Sequence, residues 1–158
     1  MARAGDELVN PITCERIVFR KTAAETGGAL LEMDDFWMRP GHRAPAHAHP
    51  GMRERWEVIA GMASFAIGGV EQRAGPGHVV VADPGVAHQA WNATAEPVHL
   101  RIEMCPALQW ETFVERLFAL AADAHSAGHQ QPDPARLLEL MREFPREIAL
   151  MPDRRGRT

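Results

Sequence analysis

A chain of 158 residues is long enough for one domain with a sizeable core, and 17 basic against 21 acidic side chains, a net charge of -4, leave no basic excess to attract nucleic acid. No apolar run approaches the roughly 18 to 20 residues of a membrane span, and the N-terminal MARAGDELVNPIT lacks the apolar segment of an export signal. Two cysteines, Cys14 and Cys105, make no disulfide framework, so the composition fits an unexported, cytoplasmic protein with a small-molecule partner and neither a membrane nor a nucleic acid.

Taken in order, residues 1–10 are polar and read as loose, and the arm they begin extends to residue 15. Arg16-Ile17-Val18-Phe19-Arg20 alternates as a first strand does, and Thr26-Gly27-Gly28 marks a turn. In the next segment the apolar residues are interrupted by Asp34 and Asp35. The expected reading is two pieces of strand, Ala29 to Met33 and Phe36 to Arg39, separated by a kink or bulge. Pro40 and Gly41 close that segment, and His42 reads as a solvated loop residue.

The stretch GHRAPAHAHPGMRERWEVIAG follows, from Gly41 to Gly61. Side chains two apart on an extended strand leave the same face, so His47 and His49 can converge on one point. Glu54, beyond a turn at Pro50 and Gly51, can reach that point from the next strand. Taken alone, His-x-His is better read as a pair of polar residues on an edge strand, a reading that the second histidine stretch below weakens. If Glu54 faces inward, Trp56, Val58 and Ala60 share its face and form an apolar wall. Phe65, Trp37, Met38 and Trp91 are further wall candidates, each also suited to plain core packing.

Met62 to Ile67 reads as a strand, Gly68-Gly69 as a two-residue hairpin turn, and Val70 to Arg73 as the return strand. The run GHVVVADPGVAHQAWN, Gly77 to Asn92, then gives a short β-branched strand, a tight turn at Pro84-Gly85, and His88 three residues beyond it. A strand leaving that turn brings His88 to the interior that His47 and His49 face. Val98, Leu100, Ile102 and Met104 alternate with His99, Arg101 and Glu103. The apolar set is expected to face inward, and Arg101 is left either on the outer surface or reaching a substrate anion.

After Pro106 the apolar period becomes 3.6. Trp110, Phe113, Val114, Leu117, Phe118 and Ala121 line one face of a helix, with Glu111, Glu115 and Arg116 off it, and the helix ends near Ala127-Gly128. Asp133 as N-cap and Pro134 at the first helical position open a second helix, which Pro145 ends. The two helices are expected as a hairpin against the outside of the barrel. His125 and His129, four apart, have a ligand spacing but no third ligand and read as surface residues.

Gly41, His47, His49, Glu54 and Gly61 fit the pattern Gly-x5-His-x-His-x4-Glu-x6-Gly, and Gly77, Gly85, His88 and Asn92 fit Gly-x5-Pro-x-Gly-x2-His-x3-Asn, except that Asp83 stands at the proline position. In these two ordered motifs the chain resembles a single-domain cupin. The resemblance spans roughly Arg16 to Pro106. It implies a mainly β fold, the double-stranded β-helix or jelly-roll barrel, here followed by two α-helices. The organisation expected is an arm over 1–15, a barrel over 16–106, a helical hairpin over 107–151 and a disordered tail over 152–158.

The resemblance also implies one divalent transition metal on His47, His49, Glu54 and His88. That donor set suits zinc, iron, manganese, nickel or copper without choosing among them. Cupins of this kind include dioxygenases, redox-neutral isomerases and cyclases such as polyketide cyclases, and non-catalytic binding proteins, so the leaning is toward a metal-dependent enzyme with a non-catalytic binder as the alternative. With no tyrosine in the chain, proton handling falls to histidine, to glutamate (Glu54 as an acid or base) or to metal-bound hydroxide. An aromatic, apolar wall of Trp56, Val58, Phe65, Met38 and Trp91 favours a flat oxygen-bearing compound, a polyphenol or an aromatic polyketide, over a sugar nucleotide. Open sheet edges point to a homodimer.

Overall fold

The computed structural model describes residues 2–40 and 43–152. Gly41, His42 and the expected tail from residue 153 onward lie outside the described residues. Two antiparallel sheets face one another. The six-stranded sheet runs, in spatial order, β1 (Glu7–Val9), β2 (Glu15–Lys21), β3 (Leu31–Trp37), β10 (Val98–Cys105), β5 (Arg53–Ala60) and β8 (Val79–Ala82). The five-stranded sheet runs β11 (Ala149–Leu150), β4 (His47–Ala48), β9 (His88–Trp91), β6 (Ala63–Ile67) and β7 (Val70–Ala74). This is a mainly β cupin barrel, the double-stranded β-helix, with α1 (Trp110–Ser126) and α2 (Pro134–Glu143) C-terminal to it.

Period-two alternation builds the core. Val98, Leu100, Ile102 and Met104 on β10 are all buried between the sheets, beside Trp56 and Val58 from β5 and Phe19, Leu31 and Met33 from β2 and β3. Phe65 and Met52 close the layer from the other side. Ala60, expected on the inner face, is exposed, because a register shift between His99 and Leu100 turns that end of β5 outward. At the β6–β7 hairpin Gly68 and Gly69 both have positive φ, 57° and 89°, as a two-residue turn matched to strand twist requires.

Three local expectations give way. The N-terminal arm is not loose: Glu7–Val9 pairs with Arg16–Val18 as an edge strand, and the amide of Ala2 donates to Glu111 Oε1 at 3.0 Å. Glu111 is therefore buried instead of lying off the helix face. Its other oxygen accepts from Ala23 N at 3.3 Å, so the cost of burial is offset by two backbone donors. There is also no break at Asp34 and Asp35. β3 is one continuous strand, with Leu31, Met33, Asp35 and Trp37 on the inner face and Asp34 on the outer one.

Asp34 is satisfied there by Arg101, whose Nε and Nη2 both donate to its Oδ1 at 3.1 and 3.0 Å. Arg101 is thus an outer-face ion-pair partner on the strand beside β3, and the substrate-anion reading is set aside.

Helix α1 runs from Trp110 to Ser126 and buries Phe113, Val114, Phe118 and Ala121. Asp133 caps α2 by accepting from Ala135 N at 2.8 Å, with Pro134 at its first position. The chain then returns to the barrel as β11, pairing Ala149 with Ala48 and Leu150 with His47. His125 and His129 are exposed.

Candidate metal centre

The four sequence-predicted ligands arrive from both sheets. His47 lies on β4 and His49 just beyond it, Glu54 comes from β5 in the opposite sheet, and His88 opens β9, directly paired with His47. One ligand atom from each lies within 4.8 Å of the others. The rings pack edge to edge, with centroids 4.5 Å apart for His47 and His88 and 4.9 Å for His49 and His88.

Backbone geometry fixes these positions. Asp83, Pro84, Gly85 and Val86 form a turn in which Val86 N donates to Asp83 O at 3.0 Å and Gly85 takes φ 77°, the pattern of a type II turn with proline at its second position. The aspartate that replaces the family's proline leaves the turn intact and accepts from Arg53 Nε at 3.0 Å. The amide of Gly85 donates to His49 O at 3.0 Å, tying the His88 turn to the His49 backbone. Asn92, the last motif residue, organises the following loop by accepting from Thr94 N and donating to Glu96 O.

Each imidazole has its Nδ1 against a backbone carbonyl: His47 on Pro45 O at 2.9 Å, His88 on Val86 O at 2.9 Å, and His49 on Glu147 O. A carbonyl only accepts, so all three rings carry their proton on Nδ1 and turn the Nε2 lone pair toward the common point. Nε2 of His49 lies 2.8 Å and Nε2 of His88 3.1 Å from Glu54 Oε2. With Nδ1–H already committed, those contacts call for a second proton on each ring or for one shared cation. Three aligned imidazole nitrogens and a carboxylate oxygen are the donor set of a divalent transition metal, and the outer carbonyls are the partners that orient such ligands.

At His47 and Glu54 the electrostatics agrees with that reading. Burial, with the charges of His88 and His49, pushes His47 down to about 4, which keeps it neutral and ready to ligate. Burial raises the Glu54 carboxyl, but the charge and hydrogen bonds of His49 and His88 outweigh it and hold the group well below the usual carboxylate range. Burial likewise lowers His88, and its hydrogen bond with Glu54 more than reverses this.

The cluster opens on a cavity of about 190 Å³. Of the expected wall residues, Trp56 and Trp37 line it. Val58 and Phe65 are packed in the core instead, Met38 is 49% exposed, and Trp91 lies outside the cavity with the Arg43 guanidinium 3.7 Å from its ring centre. The remaining lining includes Trp110, Ile102, Glu15 and Asp35. Trp110, the first residue of α1, sets its ring against His49 with centroids 4.7 Å apart. Its helical periodicity marked it for burial but said nothing of the cavity.

Residues 36–105 match the Cupin domain family, a span that contains all four candidate ligands. The chain carries a cupin domain. It is similar in fold to an RmlC-like cupin from Shewanella frigidimarina, 16% identical with a TM-score of 0.55, over 65% of this chain and 85% of that one. A sugar phosphate isomerase of the cupin superfamily from Silicibacter pomeroyi aligns at 16% identity and a TM-score of 0.53, over 63% of this chain and 70% of that one. KdgF from Halomonas sp. aligns at 18% and 0.51, over 58% and 78%. At such identities the likeness carries the fold and no activity. No curated protein matches the chain.

Proposed function

We propose that this cupin is a metal-dependent enzyme acting on a small oxygen-bearing compound, with His47, His49, Glu54 and His88 as ligands of one divalent transition metal. The observation that carries the reading is the common tautomer: three Nδ1–H groups spent on backbone carbonyls leave three Nε2 lone pairs and one carboxylate aimed at a single point beside a cavity. A divalent metal bound there supplies Lewis acidity toward a carbonyl or enol oxygen. The protein contributes a site walled by Trp37, Trp56, Trp110 and Ile102, which orients a flat ligand and limits water.

Size narrows the substrate. A cavity of about 190 Å³ is close to the roughly 150 Å³ that holds one benzene ring, so a single-ring or shorter compound fits within its walls. Both a dioxygenase and a redox-neutral isomerase or cyclase fit the ligand set. The test is elemental analysis of the purified protein and of His49→Ala and His88→Ala. Near-stoichiometric metal in the parent with a large loss in both variants is expected, and equal metal in all three would sink the reading.

A further inference from the structure

The wall of the cavity on the six-stranded sheet holds two acids that no ligand role absorbs. Asp35 sits on β3 and Glu15 begins β2. The pairings Glu15 with Trp37 and Ile17 with Asp35 make them diagonal neighbours on the inward face. Both line the same cavity as His47, Glu54 and His88. Asp35 is 3% exposed, and its Oδ2 accepts from Trp37 Nε1 at 2.8 Å. Its Oδ1 is buried with no hydrogen-bond partner among the described residues.

The two carboxyls face one another across this diagonal on the same cavity wall. Ionised carboxylates only accept, so the two acids can bond to one another only if one of them carries a proton. Two adjoining carboxyls in a poorly solvated wall cannot both be charged. Burial raises Glu15 to about 7, and burial together with the charge of Glu15 raises Asp35. The charged or titratable groups facing the pair across the cavity are Glu54 on β5, His47 on β4, His88 on β9 and Arg39 at the rim, and Trp37 supplies the fixed donor. An apolar residue at position 35 would continue the Leu31–Met33 face without this desolvation cost, and the Trp37 indole occupies only one oxygen of Asp35, leaving Oδ1 unpartnered beside Glu15. Asp35 and Glu15 lie outside the segment 36–105 that matches the family.

We propose that Glu15 and Asp35 form a one-proton pair that transfers protons on an enolisable carbonyl compound bound between them and the four ligands, an inference that rests on the metal-dependent reading above. The anionic oxygen of the pair removes a proton from the carbon next to the carbonyl. The electron pair of that C–H bond becomes the new carbon–carbon double bond, the carbonyl π pair moves to oxygen, and that oxygen receives the proton the pair already held. The pair ends with one proton, as it began, and no oxidant or reductant is consumed. From the enediol of a hydroxyketone the pair then takes the proton of the other hydroxyl, whose oxygen becomes the new carbonyl, and returns its own proton to the carbon that bore the first carbonyl. The substrate class is thus a short hydroxyketone, and the reaction class a redox-neutral isomerisation. Arg39 at the rim provides a cation for a carboxylate on such a substrate.

The Trp37 indole N–H, bonded to Asp35, gives a direct readout. Its ¹⁵N–¹H signal is followed from about pH 5 to about pH 9 in zinc-loaded and zinc-free protein, with and without acetohydroxamate as an enol-like chelating probe. We expect one inflection, at about 7 in zinc-free protein, that is lost in Asp35→Asn and in Glu15→Gln, and a further shift on adding acetohydroxamate to zinc-loaded protein. A signal flat with pH overturns the pair. A signal that titrates yet ignores acetohydroxamate bound at zinc makes the acids structural and overturns their role. Zinc content, measured separately on each sample, reports on the metal reading, so its failure is distinguishable from failure of the pair. The remaining indole signals show whether each variant is folded.

Discussion

The imidazole of His49 donates from Nδ1 to the backbone carbonyl of Glu147, 98 positions further along the chain. The C-terminal segment is thereby part of the support of the candidate metal site. Gly51 N donates to Arg146 O at 2.7 Å, and Gln109 N, at the start of α1, donates to Glu147 Oε1 at 3.1 Å. One short segment thus fixes the ring of a ligand, the turn after it and the helix that carries Trp110.

Disturbing that segment should weaken metal binding without touching a ligand. Glu147→Ala removes the acceptor for Gln109 N and leaves that amide with no side-chain partner, an effect of about 1 to 3 kcal/mol on stability. The substitution keeps the backbone carbonyl that orients His49 and only loosens the segment that carries it, so zinc affinity is expected to fall by less than the roughly 10-fold that follows outright loss of such a partner. Competition against a chromophoric chelator measures it. Unchanged affinity alongside lowered stability would separate the segment from the site.

Trp56 joins the two roles that its sequence position left open. It is 2% exposed, its ring centre lies 5.3 Å from Phe65 and 5.4 Å from His88, and it also lines the cavity. Trp56→Ala is expected to cost about 3 to 5 kcal/mol in urea unfolding whether metal is bound or not, through the cavity it leaves. Trp56→Phe keeps an aromatic surface against Phe65 and should lose far less. Equal losses in the two variants would show that indole contacts, not ring burial, hold this part of the core.

Self-association is the next expectation. β8 ends the six-stranded sheet, paired on one side with β5, and its outward Val79 and Val81 are 47% and 40% exposed. An open edge with an apolar outer face is a liability that a two-fold partner covers. We propose a homodimer, so light scattering at micromolar concentration should give twice the 17.5 kDa chain mass. The monomer mass would count against it, and Val81→Lys should dissociate the pair.

How far the site was legible depends on how local each signal is. His47, His49, Glu54 and His88 could be found because strand periodicity and turn residues fall inside two short motifs. Glu15 and Asp35 could not, since they meet only through the β2–β3 register and the acidic dipeptide Asp34-Asp35 mimics a solvent-exposed break. A period-two template laid over Leu31, Met33, Asp35 and Trp37 is the signal that would have kept β3 whole and turned Asp35 inward. β1, β11 and the burial of Glu111 each depend on partners far along the chain: Glu7–Val9 needs β2, Ala149–Leu150 needs β4, and Glu111 needs the amides of Ala2 and Ala23. No local composition reports such pairings.

The acid pair also makes a prediction about stability that needs no substrate. Glu15 is raised in the folded protein to about 7 from an ordinary value of 4.5, chiefly by burial. Between those two values the folded chain holds a proton that the unfolded chain has released, so stability must fall as pH rises through that window and level off above it. A shift of this size corresponds to roughly 3 kcal/mol lost between about pH 4.5 and about pH 7. Glu15→Gln needs no such proton, and its amide can donate to the unpartnered Asp35 Oδ1, so its share of the slope disappears. Relative to the parent, the variant should therefore gain stability as pH rises from about 5 to about 8, by an amount approaching that figure. Urea unfolding of both proteins at the two pH values measures the difference directly, with other titrating groups cancelling between them. If the two stabilities change in parallel with pH, burial does not hold a proton on Glu15 in the folded protein above its ordinary range.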